Sequence, residues 1–201
     1  MYHHSKLTNI VIQSLKVKIM FKIVKDTSLS LRSKSKPVNL PIDKKDHDLL
    51  LQMFEYLKKT QDPVFREKHP KIREGVGLAA PQVGVNKRMT VLYYHDSEGQ
   101  EVQYALVNPR IIENSVKKCY ILAGEGCLSV DEKHEGYVPR DYKIKVKAFD
   151  VLRNDEIEIT ARGYDAIVLQ HEIDHLDGIL YYDRINKDNP FQTIEGAVEI
   201  S

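Results

Sequence analysis

The sequence has few cysteines, no long apolar run and almost no net charge, and each of these absences excludes a class of protein. Two cysteines in 201 residues cannot build a disulfide framework, which favours a reducing, cytoplasmic compartment. No stretch approaches the roughly 18 uninterrupted apolar residues of a membrane-spanning helix, so no membrane span is expected. The 30 basic and 29 acidic side chains leave a net charge of +1, which argues against dedicated nucleic-acid binding.

What the sequence does contain is the composition of a globular protein with one domain. Hydrophobic residues make up 42% of the chain and charged residues 29%. Residues 1–36 carry a basic excess with a single acid, Asp26, but they fit neither a transit peptide nor a secretory signal. We therefore expect a disordered leader over residues 1–20 and a single domain over residues 21–201.

Hydrophobic periodicity predicts a helix, then a run of strands, then a second helix. Apolar residues recur at helical spacing over 43–60, with Asp43 as the N-cap and Pro63 marking the end, and a surface loop is expected over 63–74. Strands are predicted at 89–94, 102–108, 111–116, 119–122, 143–150 and 156–162. Helical spacing returns over 164–176, before Gly178. This order predicts an α+β fold with antiparallel strands around a central helix and a further helix near the N-terminus.

The strongest chemical signal is the sequence Gln170-His171-Glu172-Ile173-Asp174-His175 in the second helix. Residues four apart share a helical face, so His171 and His175 can reach one metal ion while Glu172 stands beside it. Metal-assisted hydrolysis needs two such nitrogen ligands and a carboxylate that accepts a proton from water. The alternative is a chance pattern on a solvated face. The many apolar residues of this helix argue instead for burial, where two histidines need partners.

A hydrolytic metal site also needs a third protein ligand. The position that supplies it in three-histidine zinc proteases is occupied here by Tyr181. The better candidate is Cys127, because a thiolate is a strong ligand for Fe(II) or Zn(II) and the glycine beside it lets the backbone come close to an ion. Cys119 is interpreted as an inert buried residue, with a Cys119–Cys127 disulfide left as an alternative. Three acidic residues further along are also conceivable ligands: Asp183, Glu195 and Glu199.

A third segment, Gly75-Val76-Gly77-Leu78-Ala79-Ala80-Pro81-Gln82, is rich in small residues. It formally matches a dinucleotide-binding fingerprint, but the charged residues 71–74 precede it where an apolar strand is required, and Pro81 interrupts the helix that should follow. Two interpretations remain. The backbone approaches an extended ligand with Gln82 as an amide donor, or the segment is a tight turn beside the core.

Taken together, the three segments resemble peptide deformylase. That family is marked by the motifs G-x-G-x-A-A-x-Q, E-G-C-L-S and Q-H-E-x-D-H, which occur here in order and without substitution at 75–82, 125–129 and 170–175. The resemblance covers about residues 21–200. The loop at 63–74 and the extended stretch at 130–137 are similar to the Gram-positive type of the family, which has a longer insert.

The resemblance implies a role for each motif residue. Cys127, His171 and His175 would be the ligands of one divalent ion. Glu172 would act as general base and then as general acid. Gln82 and the backbone N–H of Leu128 would donate hydrogen bonds to the oxyanion.

It also implies how a peptide is bound. Val76 and Gly77 would pair with the substrate backbone, and the methionine side chain would enter an apolar pocket near Leu128, Ile167 and Val168. An ion pair between Glu125 and Arg140 would support the cysteine loop from behind.

Fe(II) is the implied native ion, with Ni(II), Co(II) or Zn(II) as substitutes, since a thiolate and imidazoles accept all of these. The implied substrates are N-formyl-methionyl nascent peptides, from which formate would be released. No basic helix follows Phe191, so a transient ribosome contact would need another surface, such as the basic leader. Two alternatives remain open: an H-E-x-x-H metallopeptidase that cleaves internal bonds, and a catalytically inactive metal-binding relative.

Overall fold

The computed structural model describes residues 21–201, and the predicted leader at residues 1–20 lies outside the described residues. The helices are α1 (Lys44–Gln61), α2 (Pro63–Lys68) and α3 (Tyr164–Leu176). The strands are β1 (Gly77–Ala79), β2 (Met89–His95), β3 (Glu101–Asn114), β4 (Lys118–Ile121), β5 (Arg140–Asp141), β6 (Lys143–Asp150), β7 (Asp155–Arg162) and β8 (Val198–Ile200). Over this described part of the chain, no helix combines the length and apolar character needed to cross a membrane.

The first helix begins and ends where the sequence predicts. The Asp43 carboxylate accepts a hydrogen bond from the backbone N–H of Asp46 at 2.8 Å, which satisfies a free donor of the first turn. The expectation of a loop over 63–74 is wrong for its first part, which forms α2. Pro63 occupies the first turn of that helix, where its missing N–H costs nothing, and Asp62 caps it through the N–H of Val64.

The larger sheet has the strand order β1-β2-β3-β6-β7, and all of its pairings are antiparallel. The strands predicted at 102–108 and 111–116 are one continuous strand, β3, which shifts register against β6 on either side of residues 110–111. These irregularities let the strand pass Pro109, which has no N–H to give to a ladder.

A smaller sheet has the order β5-β4-β8, and β8 runs parallel to β4. This parallel strand is absent from the sequence prediction, in which antiparallel strands alone appear. It brings the C-terminal segment alongside the strand that leads into the loop carrying Cys127.

The two faces of the larger sheet pack against different helices, and β2 shows the division. Met89 and Val91 lie in a buried cluster with the apolar residues of α1, whereas Leu92 and Tyr94 lie in a cluster with those of α3. On its other side, α3 is tied to β5, because the Gln170 amide exchanges two hydrogen bonds of 2.9 Å with the backbone of Asp141. The predicted α+β fold, with strands around a central helix, is confirmed.

Candidate metal centre and substrate cavity

The structure brings together three side chains that can hold a metal ion. His171 and His175 lie one turn apart on α3, and Cys127 comes from the loop between β4 and β5. Their ligand atoms all lie within 4.8 Å of one another, and Cys127 Sγ is 3.3 Å from His175 Nε2. One thiolate and two imidazoles form a donor set suited to Fe(II), Co(II), Ni(II) or Zn(II), and three protein ligands leave a coordination position for solvent. The residues present therefore fit one divalent ion.

The competing ligand assignments are not supported. Both cysteines are free, so the alternative of a Cys119–Cys127 disulfide is wrong. Asp183 instead forms an ion pair with Arg32, and Glu199 accepts a hydrogen bond from Tyr120. Within residues 21–201, the cluster of candidate ligand atoms includes none of the three acidic alternatives.

Behind the cluster, Glu125 holds the ring of His171. A distance of 2.8 Å separates His171 Nδ1 from Glu125 Oε2, which leaves Nε2 of the same ring to face the other ligands. Burial alone would raise the pKa of Glu125, but the hydrogen bonds and charges of Arg140 and His171 lower it to about 2. Glu125 is therefore an anion.

His175 is the second imidazole of the cluster. Burial and the nearby His171 lower the pKa of His175, and this favours the neutral imidazole that metals bind.

The predicted ion pair between Glu125 and Arg140 is confirmed. Arg140 is only 2% exposed and donates from Nε and Nη2 to the two Glu125 oxygens at 2.7 and 2.8 Å. Its Nη1 also donates to Asp174, which accepts two more hydrogen bonds from Arg184. Sequence reasoning missed Asp174 and Arg184, although an acid on a helix predicted to be buried was a signal that a cation must lie nearby.

Glu172 is buried beside the ligands and lies against the glycine-rich segment. Burial raises the pKa of Glu172 to about 7, a value that allows it both to accept and to return a proton near neutral pH. Its Oε2 is 3.3 Å from the hydroxyl of Thr90. A Cβ added at Gly77 would come within 2.2 Å of Oε1, so the close approach of β1 to Glu172 requires glycine at this position.

Gln82 directs an amide toward the same cluster. The backbone N–H of Ala79 donates to Gln82 Oε1 at 2.8 Å, which fixes the orientation of the amide. The Nε2 atom consequently points to the site, 3.5 Å from Cys127 Sγ and 3.4 Å from the hydroxyl oxygen of Ser129. The next residue of the cysteine loop, Leu128, is anchored through its carbonyl, which accepts a hydrogen bond of 2.8 Å from Arg73.

A cavity of about 500 Å³ opens beside the candidate metal ligands. Its walls include every residue for which the sequence predicts a substrate contact: Val76, Gly77, Leu128, Ile167 and Val168. Its walls also include residues that sequence reasoning did not single out, among them Arg73, Ile121 and Tyr164. Residues 73–76 and Gly77, the first residue of β1, line one wall of the cavity, and β1 is an edge strand of the larger sheet that pairs with β2 on one side only. An extended peptide can add to such an edge through main-chain hydrogen bonds.

The site combines a cluster of three metal-ligating side chains, a buried carboxylate at Glu172 and a cavity lined by Cys127, His171 and Glu172. This combination defines the class of the protein as a metal-dependent hydrolase.

Comparison with known proteins gives the family. A sequence model of the family described as polypeptide deformylase matches residues 20–191. The chain is 47% identical over 181 residues to peptide deformylase 2 of Bacillus subtilis strain 168, covering 90% of this chain and 97% of that relative. The chain therefore belongs to the polypeptide deformylase family.

Solved structures agree with this assignment. The crystal structure of a probable peptide deformylase from Synechococcus phage S-SSM7 is 36% identical, with a TM-score of 0.65 over 82% of this chain and 99% of that one. A class I type b peptide deformylase from Acinetobacter baumannii, solved with Met-Ala-Ser bound, is 30% identical, with a TM-score of 0.63 over 82% of this chain and 98% of that one.

Proposed function

We propose how the residues of this cavity carry out deformylation. The chain is a metallohydrolase that removes the N-formyl group from nascent peptides, as membership of the deformylase family establishes. We assign the reaction to residues 21–201 acting as a single catalytic domain. The observation that carries the assignment is the convergence of Cys127, His171 and His175 beside Glu172, at the wall of the cavity.

Cys127, His171 and His175 would hold one divalent ion, with Fe(II) as the native ion and Ni(II), Co(II) or Zn(II) as substitutes. When bound, the ion lowers the pKa of a water molecule and polarises the formyl oxygen. Glu125 keeps the His171 ring oriented for this purpose, and Arg140 keeps Glu125 in place. A thiolate and two imidazoles would leave a bound divalent ion with a net positive charge, which favours acidification of water.

Glu172 moves the protons of the reaction. Its carboxylate takes a proton from the water that attacks the formyl carbon, and it gives a proton to the departing amine when the C–N bond breaks. The products are formate and a free N-terminus. Burial raises the pKa of Glu172, which makes the protonated form needed for the second step accessible near neutral pH.

Two donors would stabilise the negative oxygen that develops on the formyl carbon. One is Gln82 Nε2, whose direction is fixed by the bond from Ala79 to Oε1. The other is the backbone N–H of Leu128, in the loop that Arg73 anchors. Removing one donor of this kind typically lowers turnover on the order of 10²–10³-fold, and we expect that loss for Gln82→Leu.

The peptide would bind as an extended strand against β1, with Val76 and Gly77 as its backbone partners. Leu128, Ile167 and Val168 would form the pocket for the methionine side chain. The Acinetobacter baumannii relative with Met-Ala-Ser bound supports a peptide of this length as ligand. A cytoplasmic location and a transient ribosome contact stay predictions.

Formate release from formyl-Met-Ala-Ser by anaerobically purified protein tests the proposal. We expect turnover by the wild-type chain and a loss of at least about 10³-fold in Glu172→Ala at equal metal content, because proton transfer loses its only assigned carrier. Glu156→Ala, which changes an exposed glutamate on β7, is the matched control and should keep full activity. Metal-loaded wild-type protein without turnover would overturn the proposal, and activity retained in Glu172→Ala would overturn the mechanism.

Two variants, Cys127→Ser and Glu172→Ala, discriminate the two alternatives. A metallopeptidase that cleaves internal bonds would act on unformylated peptides and would keep its metal in Cys127→Ser. An inactive metal-binding relative would lose nothing measurable in Glu172→Ala. The position of Cys127 within the ligand cluster favours deformylation, for which we expect Cys127→Ser to bind the ion more weakly than the wild-type chain and without a sulfur ligand.

A further inference from the structure

A buried hydroxyl group contacts the carboxylate that we assign as the proton carrier. Thr90 lies in β2 and is fully buried, and its Oγ1 is 3.3 Å from Glu172 Oε2 and 3.1 Å from the carbonyl oxygen of Leu78. The next two residues on the same face of the strand, Leu92 and Tyr94, belong to the core cluster that packs against α3. Burying a hydroxyl costs free energy unless it is hydrogen-bonded. The Thr90 hydroxyl must therefore donate its proton to one of these two oxygens.

The Thr90 hydroxyl has one proton and two neighbouring acceptors. An ionised carboxylate accepts a stronger hydrogen bond than a neutral carbonyl does. When Glu172 is ionised, as it must be to accept a proton from water, its carboxylate is therefore the preferred acceptor.

The orientation of a glutamate carboxylate is not fixed by its own side-chain torsions, because the last torsion has a broad distribution. In this site, two contacts from adjacent strands restrict it. Thr90 contacts Oε2 from β2, and Gly77 of β1 lies so close to Oε1 that an added Cβ would be 2.2 Å away. Thr90 pairs with Ala79 of β1 in the sheet, so both contacts belong to one hydrogen-bonded framework.

We propose that Thr90 is a positioning residue for Glu172: its hydroxyl donates to Oε2 and keeps Oε1 directed at the reacting atoms. The inference rests on the proposed role of Glu172 as proton carrier. The hydrogen-bond partners of the Thr90 hydroxyl are Glu172 and the backbone of Leu78, and neither is a metal ligand. Its loss should therefore affect the rate of the chemical step, while peptide binding is unchanged.

Thr90→Val is the main test, because it replaces the hydroxyl by a methyl group of similar size. A hydrogen bond to a charged group is worth roughly a factor of ten or more in an equilibrium, and we expect kcat for formyl-Met-Ala-Ser to fall about tenfold. KM should change by less than about twofold, since no contact with the peptide is lost. Thr90→Ser keeps the hydroxyl and should restore most of the lost kcat.

A second pair of variants keeps the test decisive if valine disturbs folding. Thr90→Ser and Thr90→Ala differ by one oxygen atom, so their difference in kcat isolates the hydroxyl from the missing methyl group. Metal content, the Kd for Met-Ala-Ser and the thermal unfolding temperature should agree between these two variants. A crystal structure of Thr90→Val should show the Glu172 carboxylate rotated or in more than one orientation.

Three results would overturn the inference. They are an unchanged kcat in Thr90→Val, an increase in KM with no change in kcat, and an equal loss in the serine and alanine variants. If Glu172 is not the proton carrier, the result is different, because Glu172→Ala would then retain activity. An inactive Glu172→Ala together with a fully active Thr90→Val would refute the role of Thr90 alone.

Discussion

Adding one methyl group at Gly77 should displace Glu172. An ideal Cβ at this position would lie 2.2 Å from Glu172 Oε1, 2.5 Å from Cδ and 2.7 Å from Cγ. Real Cβ atoms essentially never approach another heavy atom closer than 3.0 Å, so the side chain or the strand must move by about 1 Å. The nearest clashing atoms all belong to the Glu172 side chain, and we expect that side chain to give way.

A misplacement of about 1 Å in a catalytic group costs on the order of 10²-fold in rate. We therefore predict that Gly77→Ala lowers kcat/KM for formate release from formyl-Met-Ala-Ser by roughly 100-fold or more. The overpacking should also lower the free energy of unfolding by about 1–3 kcal/mol, measured by urea denaturation. Gly126→Ala is the matched control for stability, because a Cβ there would meet nothing within 4 Å.

A double-mutant cycle shows whether the clash with Glu172 is the cause. In a Glu172→Ala background the nearest clashing atoms are gone, so Gly77→Ala should destabilise the protein by at least about 1 kcal/mol less than in the wild-type background. Strictly additive effects on stability would contradict the reasoning. So would a Gly77→Ala variant whose activity stays within about threefold of wild type.

Three further predictions concern the surroundings of the site. Arg140→Met leaves buried carboxylates without their cation and should lower the free energy of unfolding by about 3–5 kcal/mol in urea denaturation; a loss below about 1 kcal/mol would contradict this. Burial raises the pKa of the Cys119 thiol to about 11, so iodoacetamide at pH 8 should leave Cys119 unmodified in the folded chain and reach it only after denaturation, as read by mass spectrometry. The Gln61 amide donates to the carbonyls of Gly75 and Tyr93 at 2.8 and 2.6 Å and so fixes the segment leading into β1. Gln61→Leu should therefore raise KM several-fold with little change in kcat, and a loss confined to kcat would show that the segment does not act through peptide binding.

Local patterns predicted the elements that position the metal ligands. The predicted helix 164–176 has the same bounds as α3, because its apolar spacing is regular and Gly178 follows with a φ of +75°, a conformation that favours glycine and ends helices. The cap at Asp43 was predicted for the same kind of reason, since capping depends on residues three apart.

Features that depend on distant residues were not predicted. The β8 strand is three residues long, and its parallel register is set by β4, almost 80 residues earlier in the sequence. Thr90 and Glu172 are 82 positions apart, and no spacing in the sequence indicates that they are in contact. Helical spacing placed His171 and His175 together. Cys127 was predicted as the third ligand only from its own sequence motif, because no periodicity relates it to α3.

X-ray absorption at the metal edge of the zinc-loaded chain shows whether Cys127, His171 and His175 bind one ion together. We predict one ion per chain with one sulfur ligand at about 2.3 Å and nitrogen or oxygen ligands at about 2.0–2.1 Å, and the loss of the sulfur contribution in Cys127→Ser. A spectrum with no sulfur in the wild-type chain, or one unaltered by Cys127→Ser, would contradict the convergence of Cys127, His171 and His175 on a single ion.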